Sequence, residues 1–246
     1  MSILLTSLTV LVCLFGGALV GMRIRVALPG HHLSDESKSA VWLGIGLVVT
    51  MSALVLGLLI SSAHTAFEAE RGDLTKVSAK IVWVDRILAH YGPEAREARQ
   101  ILREVAKSAL DRLWSGTANQ KPSTSADLFY EQIRTLSPRD DAQRSSQAAA
   151  LSLARDIAET RWLMYEEEQN ALPMPLLVGL VFWLTIVFVS IGLFAPRNPT
   201  VVVSFFVSAL SVAGAIFLIL EMYMPFSPPL QISSAPLQAA IDQLGH

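Results

Sequence analysis

Four apolar runs dominate this chain: Ile3 to Met22, Ala40 to Ser61, Met174 to Ala195 and Thr200 to Leu220, none holding a Lys, Arg, Asp or Glu. A helix rises 1.5 Å per residue, so about 20 such residues match a hydrocarbon core about 30 Å thick. Inside lipid every backbone polar group must find its partner within the segment, and runs of this composition are therefore spanning helices. The reading is an all-α membrane protein with its natural contact in the lipid bilayer.

Bulk composition narrows the function classes. Hydrophobic residues make up 52% and charged residues 16%, well below the charged fraction of soluble domains. A net charge of −2 supplies no basic field for nucleic acid. Cys13 is the lone cysteine, so it has no disulfide or CxxC partner. His31-His32 is the one histidine pair; adjacent side chains point apart and no further Cys or His stands at ligand spacing, so a polar connector is expected rather than a metal site. Glu166-Glu167-Glu168 reads as a solvated acidic helix face. No phosphate loop, nucleophile elbow, zincin motif or haem attachment site occurs. Neither an enzyme nor a cofactor is expected.

Charge placement gives an orientation. No Lys or Arg precedes the first span, while Arg23 and Arg25 follow it at once, which is not the layout of a cleaved signal peptide. Arg23, Arg25 and Lys38 mark the first short connector and Arg197 the last. The positive-inside tendency then puts both connectors in the cytoplasm and the middle segment outside. That segment holds the other fifteen Lys/Arg, including Arg71, Lys76 and Lys80 close to the second span; segments longer than about 60 residues cross largely regardless of charge, and the inverted topology is the alternative.

From 64 to 173 the pattern stays helical. Phe67, Leu74, Val77, Ile81, Val84, Leu88 and Tyr91 fall at the three- and four-residue spacing of a coiled-coil seam. The second span is thus expected to continue as a stalk until Gly92-Pro93 ends it, with Pro93 opening the next helix. That helix runs to about Trp114, with Ala98, Leu102, Val105, Ala109 and Leu113 on one face and Arg96, Arg99, Arg103 and Lys107 opposite. Ser115 to Ser125 reads as a loop. A short helix with Phe129, Ile133 and Leu136 inward follows. Ser137-Pro138-Arg139-Asp140 is read as the start of a further helix, with an N-cap at Ser137 and Pro138 in its first turn. Its apolar stripe is Ala142, Ala149, Leu153, Ile157 and Met164.

The divisions expected are 1–63, a first transmembrane pair with spans 3–22 and 40–61; 64–173, an extramembrane helical stalk; 174–221, a second pair with spans 174–195 and 200–220; and 222–246, a Pro-rich tail. The short Ala195-Pro196-Arg197-Asn198-Pro199 turn makes the last two spans an antiparallel hairpin, so the fold is two hairpins with an inserted helical bundle. In the tail, Leu237, Ala240, Ile241 and Leu244 form one face of a short helix expected to dock on the stalk. Gly17-x-x-x-Gly21 and Ala53-x-x-x-Gly57 permit close helix approach. Glu221 closes the fourth span, and ionisable groups at membrane depth are functional candidates.

Several stretches resemble the bacterial bestrophin-like domain family: LPGHHLSDESK (Leu28 to Lys38), ALVLGLLISSAHTAFE (Ala53 to Glu68), RILAHYGPEAREAR (Arg86 to Arg99), FWLTIVFVSIGLFAPRNPTVV (Phe182 to Val202), AGAIFLILEMYMPF (Ala213 to Phe226) and ISSAPL (Ile232 to Leu237). The resemblance covers nearly the whole chain. It implies a multi-pass protein of the bacterial inner membrane, and its bestrophin label implies a homo-oligomeric anion channel with the second spans around the pore. Two departures stand out. The second span is aliphatic through Val48, Val49, Leu54, Val55 and Leu58, without the aromatic constriction of bestrophins, and Tyr223 stands where the family pattern has an acidic residue.

The expected function is an oligomeric ion channel or transport component passing small inorganic ions, with Glu221, Arg197, Arg23 and Arg25 as candidate pathway residues. The alternative is a non-conducting scaffold or sensor that binds a partner or its own copy through the seam Leu74, Val77, Ile81, Val84 and Leu88.

Overall fold

The computed structural model describes residues 3–27, 35–114, 125–170 and 174–245, without the side chains of 35–38, 125–127 and 165–170. His31-His32, the 115–124 loop and the Glu166–Glu168 side chains lie outside what is described. Among the described residues every regular element is helical: α1 (Ile3–Ala27), α2 (Asp35–Tyr91), a 3-10 turn (Pro93–Ala95), α3 (Arg96–Trp114), α4 (Ser125–Thr135), α5 (Asp141–Asn170), α6 (Met174–Phe194), α7 (Pro199–Met222) and α8 (Ala235–Gln243). Four helices, α1, α2, α6 and α7, are long and apolar enough to cross a membrane. The chain divides into two units, 1–65 with 172–223 and 66–171 with 224–246.

In the first unit α1 packs along α6 and α7. Val10, Leu14 and Ala18 of α1 meet Leu177 and Phe188 of α6 and Ala209, Ala213, Ile216 and Leu220 of α7. Spacings of three and four in α1 and α7, and of eleven (about three turns) in α6, keep each set on one helix face. Phe15 and Phe206 meet edge to face, with ring centroids 5.4 Å apart. Glycines set the approach of α1 to α6. A Cβ on Gly21 would strike the Val189 carbonyl, one on Gly192 would strike the Ala18 carbonyl, and one on Gly17 would press on Thr185 and Val189. Lipid gives no hydrophobic drive for helices to associate, so backbone proximity of this kind is what holds spans together. Cys13 is exposed on the apolar flank of α1.

The α6–α7 turn is closed by its own backbone. Ala195 N–H donates to Gly192 O, and both Val201 and Val202 N–H donate to Asn198 O. Pro199 occupies the first helical position of α7, where its missing N–H costs nothing. In the span of α2 only Ile45, Ser52, Leu59 and Ala63 are buried, a narrow line near heptad spacing. Beyond α7, the Tyr223 hydroxyl donates to Ser62 Oγ at 3.2 Å.

The second unit is built on the seam. Leu74, Val77, Ile81, Val84, Leu88 and Tyr91 of α2 are buried with Ala98, Leu102 and Ala106 of α3, Phe129 and Ile133 of α4, and Ala150 and Ala154 of α5. α2 ends where Gly92 takes φ 124°, a left-handed value that glycine adopts without strain. The tail closes this core. Leu237, Ala240, Ile241 and Leu244 are buried, α8 packs on α3, and Trp114 Nε1 donates to Ile232 O at 3.0 Å.

Three details differ from the sequence reading. The cap of α5 is Asp140 rather than Ser137: its Oδ1 accepts from Gln143 N–H at 2.7 Å, and Gln143 Oε1 accepts from Arg139 N–H at 2.8 Å. The Asp140 cap starts the helix at Asp141, with Gln143 holding the residue before the cap, and leaves Pro138 outside it. The inward line of α5 runs through Ala150 and Ala154, while Ala142 and Ala149 are exposed. Arg99, placed on the polar face of α3, turns inward. Its Nε and Nη2 donate to Oδ1 and Oδ2 of Asp85, each at 2.8 Å.

Candidate functional site

The candidate pathway residues separate into two places. Arg25 donates from Nη1 to the Ala195 carbonyl, and Arg197 donates from Nη2 to the Met22 carbonyl at 3.2 Å. Arg25 thus reaches a carbonyl just past the C-terminus of α6, where the helix dipole also favours a cation, and Arg197 reaches one near the end of α1. The pair clips the end of α1 to the α6–α7 turn. Arg23 is exposed beside them. Three positive charges therefore gather at one end of this unit, as the two short basic connectors led one to expect.

Glu221 lies at the other end of α7, 24 positions from Arg197 and so about 36 Å along the helix axis. Its residue is only 4% exposed, and its Oε2 has no hydrogen-bond partner among the described residues. Ser52 Oγ, buried in the middle of the α2 span, is likewise without one. A buried polar group without a partner stabilises the fold little, and an ionisable side chain at membrane depth is a functional candidate.

Reasoning from hydropathy alone passed over a third feature. Ser39, Gly46, Thr50, Ala53, Gly57, Ser61 and His64 are all exposed, and their spacings of seven, four, three, four, four and three place them on one face of α2. A Cβ on Gly46 or Gly57 would meet open space, so these glycines serve no packing inside the subunit. Thr50 Oγ1 donates to Gly46 O at 2.9 Å, which satisfies its hydroxyl hydrogen and leaves oxygen lone pairs outward. This face lies well away from the Ile45, Ser52, Leu59 and Ala63 line. The signal that finds it is small and hydroxyl residues at helical period inside an apolar run.

In the second unit the charged feature is the Asp85–Arg99 pair. Asp85 is buried, and it also accepts from Gly245 N–H at 3.4 Å. The hydrogen bonds to Asp85 raise the Arg99 guanidinium further above its ordinary value, against the opposing effect of burial. A group that stays charged throughout has no proton to exchange, so this is a structural clamp on α2, α3 and the C-terminal end. Leu74, Val77, Ile81, Val84 and Leu88 are likewise occupied in the core of their own unit.

No curated protein and no solved structure gives a significant match. The family model of the Bestrophin-like domain matches residues 12–237, which reaches all four apolar helices and both units. With those helices and that match, the chain is a multi-pass membrane protein belonging to the bestrophin-like family.

Proposed function

We propose that copies of this chain assemble in the bacterial inner membrane into an ion-conducting complex, with the small, hydroxyl-bearing face of α2 turned to a shared axis. The supporting observation is that face itself. Gly46, Thr50, Ala53, Gly57 and Ser61 are exposed, and a side chain at Gly46 or Gly57 would meet open space. Against lipid they give up dispersion contacts, whereas against another helix or a file of water they allow close approach and hydrogen bonding. Arg23, Arg25 and Arg197 set a positive potential at one end, which favours anions there. Two of the three also hold helices together, so Arg23 is the cleaner probe of selectivity. Glu221 is the candidate ionisable gate or coupling group at the opposite end. Residues 66–171 are assigned to the extracytoplasmic side, a placement that the basic short connectors favour.

A scaffold binding through Leu74, Val77, Ile81, Val84 and Leu88 would first have to open the core those side chains fill. The conducting reading carries no such cost.

The test is flux through purified protein in planar bilayers and liposomes. Anion current is expected, reduced about tenfold or more by Gly57→Leu, which fills the axis, and made less anion-selective by Arg23→Glu. Thr50→Cys in a Cys13→Ser background should cross-link between copies. Protein that remains assembled yet passes neither anions nor cations at any voltage or pH would overturn the proposal.

A further inference from the structure

The second unit carries an open groove of about 450 Å³ between α2 and α8, a volume within the range of small-molecule sites. Its α2 wall runs from Thr75 to Arg86 and its α8 wall from Pro236 to Gln243. Eleven positions of α2 separate the two ends, about 16 Å at the helical rise. The ends differ in chemistry. At one, Thr75 and Ser78 donate their hydroxyl hydrogens to Arg71 O and Leu74 O at 3.0 and 2.8 Å, which leaves no donor for a ligand. Ala79, Val82, Trp83 and Ala239 make the middle apolar, and Trp83 is 62% exposed there. Gly245 N–H donates to Asp85 Oδ2 at 3.4 Å, which sets the Gln243 end of α8 beside Arg86. Arg86 stands apart from the other cations of this stretch. Arg71, Lys76 and Lys80 are held by Glu68, Asp73 and Asp156 at 3.5, 2.7 and 3.4 Å. Arg86 is exposed and forms no ion pair with a described residue.

We infer that this groove binds a single-chain anionic amphiphile, of the class of a long-chain carboxylate, with its head on Arg86 and its alkyl chain running past Trp83 towards Thr75. Charge complementarity carries the assignment. Arg86 is the one charged residue among those lining the groove, and it lies at one end of an apolar trough. A molecule charged at one end only matches that layout. A cation would be repelled there, and a ligand charged at both ends would leave one charge against an apolar wall. Length agrees as well. An extended chain advances about 1.2 Å per bond, since three backbone bonds span about 3.6 Å, so about 13 bonds fill the groove. The guanidinium fork takes a carboxylate through two parallel N–H donors, and Gln243 brings an amide to the same end. Nothing in this site depends on conduction.

Equilibrium dialysis of radiolabelled dodecanoate tests this on the full-length protein in a sterol-based detergent, which itself presents no alkyl chain. Saturable binding of one dodecanoate per chain is expected. Arg86→Gln should weaken it about tenfold or more, the size of a lost hydrogen bond to a charged group. The same variant should leave dodecanol, which carries no charge, within about twofold of the parent. Ala239→Trp fills the trough from an exposed position and should abolish binding of both. A dodecanoate brominated beside its head should quench tryptophan fluorescence in the parent and much less in Trp83→Phe. All three substituted side chains are exposed, and circular dichroism checks that the helices survive. Dodecyl phosphate competing better than dodecanoate would support the same site with a phosphate-headed lipid as its source rather than a free acid. Uptake that does not saturate, or that Arg86→Gln and Ala239→Trp both leave unchanged, is partition into the micelle and overturns the site. Neither result bears on ion flux, so the groove and the α2 axis stand or fall separately.

Discussion

Glycines that look alike in the sequence do different jobs in the spans. Gly21 and Gly192 sit where any Cβ would meet the neighbouring backbone, while Gly214 faces open space. Gly192→Ala is therefore expected to force α1 and α6 apart and cost about 1–3 kcal/mol, the usual penalty of overpacking, and Gly214→Ala to be neutral. Thermal unfolding in a fixed detergent compares the two; equal midpoints would mean that α1 and α6 do not meet along this line. The Gly17-x-x-x-Gly21 spacing signalled close packing, but spacing alone does not name the partner. Matching Gly192, placed far away in the chain, is what selects α6. The second residue-scale case is Arg99. Its side chain is 21% exposed against 4% for Asp85, so removing the arginine strands a buried carboxylate. Arg99→Ala should cost about 3–5 kcal/mol, whereas removing both charges together with Asp85→Asn should cost less than that. Chemical denaturation of the full-length protein measures both, and additive losses would deny the coupling. Sequence reading put Arg99 on the wet side of α3 because i,i+3 and i,i+4 patterns show where a side chain starts, not where a long one ends.

At the scale of the element, α2 is the most informative helix, since its 57 residues change partner while keeping one periodicity. The seam from Leu74 to Leu88 was legible because its three- and four-residue spacing is unbroken. What filled it was not legible: a seam looks the same whether its complement lies in the same chain or in another. Here the complement is α3, α4, α5 and the tail. Val84 is fully buried, and Val84→Asp would place an unpaired charge in that core. A loss exceeding about 4 kcal/mol is expected, the exceptional class tied to buried charge, against little change for Ala89→Asp on the exposed face. If Val84→Asp left protease resistance of this unit intact, the core described for it would be wrong. The missed α5 cap has a similar cause. Ser137 and Asp140 are both good cap residues, and Asp140 is the one whose side chain takes the N–H three positions on, while Gln143 holds Arg139 N–H. The outward face of α2 escaped for another reason: hydropathy averages over all faces of a helix, and a polar stripe of hydroxyls and glycines barely lowers the mean.

For the molecule as a whole, the main consequence is which side of the membrane receives residues 66–171. The clipped end of α1 carries Arg23, Arg25 and Arg197, and under the proposed orientation moving such charges outward is disfavoured. Arg25 and Arg197 also bond across α1 and the α6–α7 turn, so packing as well as charge supports placing both short connectors on one side. The two arguments are independent, and the second makes the first more than a count. A membrane-impermeant label on a cysteine at position 119, in a Cys13→Ser background, should therefore react from the periplasmic face of intact spheroplasts. A cysteine placed at 30, in the Arg23–Lys38 connector, should react only after lysis. Swapping charge is the sharper version: Arg23→Glu with Arg25→Glu removes the anchor and breaks one clip, and should yield a mixed population in which part of the position-119 signal becomes protected. Reaction of both labels from the same face would remove the four-span arrangement itself, because an odd number of crossings must separate those two positions if α2 spans the bilayer.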